Sequence, residues 1–121
     1  MVVKETKNLL IFAQHMDSLP IGRGIGSILP EAVKAAGAVG VMLNHMEKRI
    51  SLAELNKTIK RADEVGLATM VCADTVEEAA AIAHLAPNII VAEKPELIGT
   101  GQTSDADYVK KSNSIVKAIN P

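Results

Sequence analysis

Four short apolar runs punctuate the chain: Leu9–Gln14, Val39–Leu43, Ala68–Cys72 and Ile89–Ala92. Their hydrophobic residues are consecutive rather than alternating, and Ile, Val and Leu dominate. A strand with one wet face alternates, whereas a strand of a parallel sheet covered on both faces does not. The runs therefore predict buried parallel strands. The polar positions between them mark helices. Pro30-Glu31 suits a first helical turn, where the missing proline N–H costs nothing, and Gly37 suits its end. Ser51-Leu52-Ala53-Glu54 and Thr75-Val76-Glu77-Glu78 fit the capping box, in which a hydroxyl and a carboxylate three residues later satisfy free amides at a helix start. Leu52, Leu55, Ile59, Ala62 and Val65 follow the first box at helical spacing until Gly66. An Ala-rich helix follows the second and stops before Pro87. Ser104 to Asp107 reads as another helix start, with Val109, Ile115, Val116 and Ile119 behind it.

Strand and helix alternate, which predicts parallel βα units with right-handed crossovers in one α/β domain over residues 1–121. Four units are half of a closed (β/α)₈ barrel, which typically takes ~250 residues. A half-barrel leaves two strand edges and an apolar inner face open, and such surfaces invite pairing with another chain. Self-association as a homodimer or homotetramer is expected on that ground.

Composition narrows the core and the compartment. With one Phe, one Tyr and no Trp, the interior must be Ile, Leu, Val, Ala and Met. Hydrophobic residues make up 48% and charged residues 22%, which excludes a disordered chain. A net charge of −1 gives no field that would draw nucleic acid or an anionic membrane. No apolar run approaches the ~18 residues of a membrane span. Lys4, Glu5 and Lys7 interrupt the N-terminal stretch, so no signal peptide is predicted. The single Cys72 excludes an intrachain disulfide and fits a reducing, cytoplasmic setting.

The candidate chemistry lies at strand ends. Residues at the carboxyl ends of parallel strands face the mouth of an α/β sheet. His45 follows the second run and Glu93 the fourth. A carboxylate there can take a proton from carbon while an imidazole polarises or protonates the neighbouring carbonyl oxygen. Taken alone, a structural or merely exposed His and Glu remains the commoner case. The weaker signals have plain readings. Gly22-Arg23-Gly24-Ile25-Gly26 matches no phosphate-binding loop and reads as a flexible interface loop, with Arg23 solvated or paired across it. His15 reads as a hydrogen-bonded structural residue, since no second ligand stands at metal spacing. His84 is expected half-buried within the third helix and Cys72 as an inert buried thiol. Lys57, Lys60 and Arg61 are expected as a solvated cluster. No metal or cofactor is expected.

Several separate segments, in order, resemble archaeal triosephosphate isomerase. They are Gln14-His15-Met16-Asp17, Ile28-Leu29-Pro30-Glu31-Ala32-Val33-Lys34, Gly37-Ala38-Val39-Gly40, Leu43-Asn44-His45, Glu64-Val65-Gly66-Leu67, Thr69-Met70-Val71-Cys72 and Pro95-Glu96-Leu97-Ile98-Gly99-Thr100-Gly101. The resemblance covers roughly residues 9–121 and implies strands three to six of a TIM barrel, an incomplete one. It implies interconversion of dihydroxyacetone phosphate and glyceraldehyde 3-phosphate, a step of glycolysis and gluconeogenesis. Glu93 would be the base, His45 the electrophile and Glu47 the supporting acid, the pairing of carboxylate and neutral imidazole that triosephosphate isomerase itself exemplifies. Asn44 and Gly99 would contact substrate or its phosphate. Lys94, Pro95, Glu96, Leu97, Ile98, Gly99 and Thr100 would form the lid, and residues 17–26 the loop that packs on a neighbouring subunit.

The chain departs from the family pattern in four ways. It has no counterpart of the first strand with its Lys, nor of the late glycine-rich phosphate loops. Lys94 stands where the family has Pro, and Met46 where it usually has Ser. Loss of one positioned charge at a developing oxyanion costs about 10²–10³ in rate, and loss of a phosphate site removes remote binding energy used for orientation. Weak isomerase activity is therefore one expectation. A catalytically inactive half-barrel oligomer, or a scaffold that binds a phosphorylated metabolite, is the alternative. A third reading takes the chain as part of a longer gene product.

Overall fold

A computed structural model describes residues 9–92. Glu93, the lid from Lys94 to Thr100 and the helix expected from Ser104 lie outside the described residues. Seven elements follow in order: β1 (Phe12–Ala13), α1 (Pro30–Ala35), β2 (Gly40–Leu43), α2 (Leu52–Val65), β3 (Ala68–Ala73), α3 (Val76–Ala83) and β4 (Ile89–Ala92). All neighbouring strands pair in parallel, and their order in the sheet is their order in the chain. The described residues thus form the α/β alternation expected of part of a TIM barrel.

The helix starts and stops follow the sequence signals closely. Ser51 Oγ accepts the Glu54 N–H at 3.1 Å, and Thr75 Oγ1 accepts the Glu78 N–H at 3.0 Å. Gly66 closes α2 in the left-handed region at φ 79°, where a side chain would be strained, and the Leu67 N–H returns to the Ala62 carbonyl at 2.9 Å. The expected second half of each capping box is different. Neither carboxylate turns back on its own N-cap. Glu54 accepts the Ser18 hydroxyl, and Glu78 accepts the Asp74 N–H at 3.2 Å.

Three expectations are corrected. β1 is two residues long, not six: among the described residues it pairs on one side only, and Leu9 and Leu10 are 63% and 77% exposed. Leu52 does not join the apolar stripe of α2, because it sits in the first turn, outside the packed layer, and is 51% exposed. Arg61 is not solvated with Lys57 and Lys60. Its side chain is 15% exposed and donates to the Leu19 carbonyl through Nε and Nη2, to Glu31 at 2.6 Å and to Glu64 at 2.8 Å. The hydrogen bond from Arg61 holds the Glu31 carboxyl below its usual range. This guanidinium ties the loop after β1 to α1 and α2.

Strand register divides the sheet into two faces. Val41, Leu43, Val71, Ala73 and Ile90 pack with Leu55, Ile59, Ala62, Ala79 and Ile82 of the helices. The opposite face carries the rows Phe12/Gly40/Ala68, Met42/Met70/Ile89 and Cys72/Val91. On it Phe12, Met42, Met70 and Val91 are half-buried, and Ile89 is 42% exposed. Among the described residues the helix-covered face is the more deeply buried of the two, and on the opposite face Gly40 and Cys72 are buried as well.

Gly40 is required where the Phe12 ring crosses β2. A Cβ at Gly40 would lie 2.4 Å from Phe12 Cε2 and 2.8 Å from the Ala68 carbonyl oxygen. The ring can swing aside, but the backbone of the neighbouring strand cannot. Gly40→Ala is therefore expected to cost about 1–3 kcal/mol, the range for overpacking, as a lower urea midpoint at unchanged slope. An unchanged midpoint would mean that β1 yields freely.

Candidate active site at the carboxyl ends of the strands

β2 ends at Leu43, and the next residue, Asn44, turns the chain sharply at φ 62°. Asn tolerates this left-handed conformation better than most side chains. A tight turn follows, closed by the Lys48 N–H on the His45 carbonyl at 2.8 Å. The same turn brings the Glu47 N–H to His45 Nδ1 at 3.2 Å. A backbone amide can only donate, so Nδ1 must be the unprotonated nitrogen. In this tautomer the ring's N–H is on Nε2, which is then its hydrogen-bond donor. The Glu47 carboxylate is 82% exposed and 4.0 Å from Nδ1.

His45 lines an open cavity of about 440 Å³, together with Gln14, His15, Met42, Glu47 and Lys48. Gln14 and His15 follow β1 directly, so they stand beside the end of β2 in the sheet. His15 Nε2 lies 3.0 Å from Asp17 Oδ1, and since an ionised carboxylate only accepts, the ring donates. The expectation of a hydrogen-bonded structural His15 is met, and the same ring also lines the cavity. Lys48 brings the ammonium charge to its wall.

Asp17 closes the base of the loop that follows β1. Its Oδ2 accepts the Ile28 N–H at 2.7 Å, and its own N–H donates to the Ile28 carbonyl at 2.9 Å. Burial acts to raise its carboxyl, but the Ile28 amide, the His15 ring and the charge of Lys48 outweigh it, and the net shift is downward. A carboxyl lowered in the folded state stabilises above its ordinary range and loses that contribution as pH falls through the folded value. Protection of the Ile28 amide from hydrogen exchange, corrected for intrinsic rate, is thus expected to fall on acidification below the usual carboxylate range. In Asp17→Asn that dependence should vanish.

Of the residues expected at the site, His45 and Glu47 are on the cavity wall. Asn44 is not: it is 3% exposed, and both ends of its amide are hydrogen-bonded to protein. Glu93, Gly99 and the lid residues lie outside the described residues. Gln14, His15 and Lys48 were not expected on the wall, although the position of Gln14 and His15 just beyond a strand end was the signal for it. His84 is exposed at the end of α3, not half-buried inside it, because the helix stops at Ala83. Among the described residues no three His, Cys, Asp or Glu side chains gather as a metal site, and no described helix is long and apolar enough to cross a membrane.

Comparison with known proteins shows the family. The family model described as triosephosphate isomerase matches residues 1–120. The triosephosphate isomerase of Methanobacterium bryantii is 44% identical over 117 residues, covering 94% of this chain and 52% of the relative. That of Methanothermus fervidus is 39% identical over 122 residues, covering 98% of this chain and 55% of the relative. That of Sulfurisphaera tokodaii is 43% identical over 110 residues, covering 91% and 47%. The chain spans about half the length of the curated relatives it matches. An α/β sheet in sequential parallel order and a family match along nearly the whole sequence lead to one conclusion: this chain belongs to the triosephosphate isomerase family.

Proposed function

We propose that the chain carries the proton-transfer residues of a triosephosphate isomerase site and interconverts dihydroxyacetone phosphate and glyceraldehyde 3-phosphate. The observation that carries this reading is the Glu47 N–H on His45 Nδ1, which leaves Nε2–H as the donor of a ring that lines the cavity. In this reading Glu93, directly after the last residue of β4, removes a proton from the substrate carbon. His45 Nε2–H stabilises the oxygen on which charge develops, and a neutral donor there can return a proton without having to hold a full charge. Glu47 supports the site through its amide. Gly99 and the lid from Lys94 to Thr100 cover the phosphate. Lys48 and Gln14 add a cation and a donor suited to an anionic substrate. Asn44 stands behind His45 in this reading, since its amide is engaged with protein.

The test is a coupled assay on the purified chain, with its mass read by light scattering. Saturable turnover above background supports the proposal. Background rates from a folded chain at high concentration overturn it for this chain and favour a second reading, a catalytically inactive homodimer or homotetramer that binds at most a phosphorylated metabolite. The half-buried Met42 and Met70, with Ile89 beside them in the same row exposed at 42% and Ile21 and Ile25 exposed at 72% and 106%, favour self-association in either reading.

A further inference from the structure

Behind His45, away from the cavity, the end of β2 is fastened by a polar hub. Asn44 Nδ2 donates to the Cys72 carbonyl at 3.1 Å and to Glu78 Oε1 at 3.2 Å, and Asn44 Oδ1 accepts the Ile50 N–H at 3.1 Å. Glu78 Oε1 also accepts the Asp74 N–H at 3.2 Å, and Glu78 Oε2 accepts from Arg49, whose other terminal nitrogen reaches Asp74. The residue before His45 is thus held to β3, to α3 and to the chain beyond the turn. Three anchors on different elements fix a group in position and orientation. The peptide that follows then inherits a fixed direction, and the Glu47 amide on Nδ1 removes the remaining freedom of the ring.

We infer that Asn44 and Glu78 are positioning residues: together they set the direction in which His45 presents its Nε2–H. This rests on the reading of His45 as the functional imidazole, yet its effect on the ring is measurable without turnover. The chemistry of the hub is specific. Asn44 must donate toward a carbonyl and a carboxylate while accepting from an amide, so Asp at this position would set acceptors against acceptors. Glu78 must accept on both oxygens, so Gln would turn an N–H toward Arg49.

The experiment is nitrogen-15 NMR of the full chain labelled at histidine. Only three histidines are present, and His84, exposed at the end of α3, is the internal control. Wild type is expected to show one narrow His45 signal set with Nδ1 as acceptor. Asn44→Gly keeps the left-handed turn without steric cost and removes three side-chain hydrogen bonds. It is expected to broaden or split the His45 signals toward a mixture of tautomers while His84 stays unchanged. Where the wild type turns over, kcat should fall by about 10²-fold, the cost of a misplaced catalytic group, with KM little changed. Glu78→Gln, nearly isosteric, should move the same signals in the same direction, and it carries the test should Asn44→Gly not fold. His45 signals unchanged in the folded variants overturn the inference whatever the turnover. Altered signals in a chain without turnover support the hub and count against the isomerase reading alone.

Discussion

Under the proposed function, replacing Glu93 by Gln is expected to lower isomerase turnover by about 10²–10⁴-fold, the usual contribution of a positioned general base. The substitution keeps size and shape and removes only the ability to hold the proton taken from carbon. KM should change little, because a phosphorylated substrate is bound chiefly by contacts away from the reacting carbon. His45→Gln is the companion measurement. Gln retains an N–H but not the ring that the Glu47 amide pins at Nδ1, and a loss of about 10²–10³ is expected for one mispositioned donor at a developing oxyanion. The double variant should lose far less than the product of the two, since the residues serve one step. Equal rates in wild type and Glu93→Gln would show that any residual turnover does not use this carboxylate.

The largest expected stability effect is at Ile59. It is 2% exposed and packs into the cluster between α2 and the sheet, beside Leu55, Ala62 and the strand residues Val41, Leu43 and Val71. Ile59→Ala leaves a cavity that this helix layer cannot collapse around and is expected to cost about 2–5 kcal/mol. Total stabilities are only about 5–15 kcal/mol, so the transition should move to far lower urea. Leu52 is the control on the same helix. It is 51% exposed, and Leu52→Ala should stay within about 0.5 kcal/mol. Similar effects from the two would mean that α2 sits differently on the sheet.

The contrast between Ile59 and Leu52 also shows what the sequence could reveal. Both sit at helical spacing, but periodicity reports a stripe, not which end of it meets the sheet. Ser51, Gly66 and Thr75 were legible because capping is decided within four residues. The destinations of Glu54 and Glu78 were not, since their partners Ser18 and Asn44 lie 36 and 34 positions away. Arg61 was misjudged for the same reason: its acceptors at Leu19 and Glu31 come from other elements. His45 could be placed at a strand end from the apolar run before it, but the Glu47 amide that fixes its tautomer depends on the turn geometry.

The sequential strand order bears on how the chain reaches its fold. Among the described residues each strand pairs only with its neighbours in sequence, so every closure between these strands spans a single βα unit and none of them must thread past another. Closing loops of this length is entropically mild, since the cost grows only with the logarithm of length. The sheet can therefore grow by adding one unit at a time to a finished edge, in the order in which the ribosome releases them. A nascent chain could bury Val41 and Leu43 under α2 before β4 exists, so that assembly advances as elongation does.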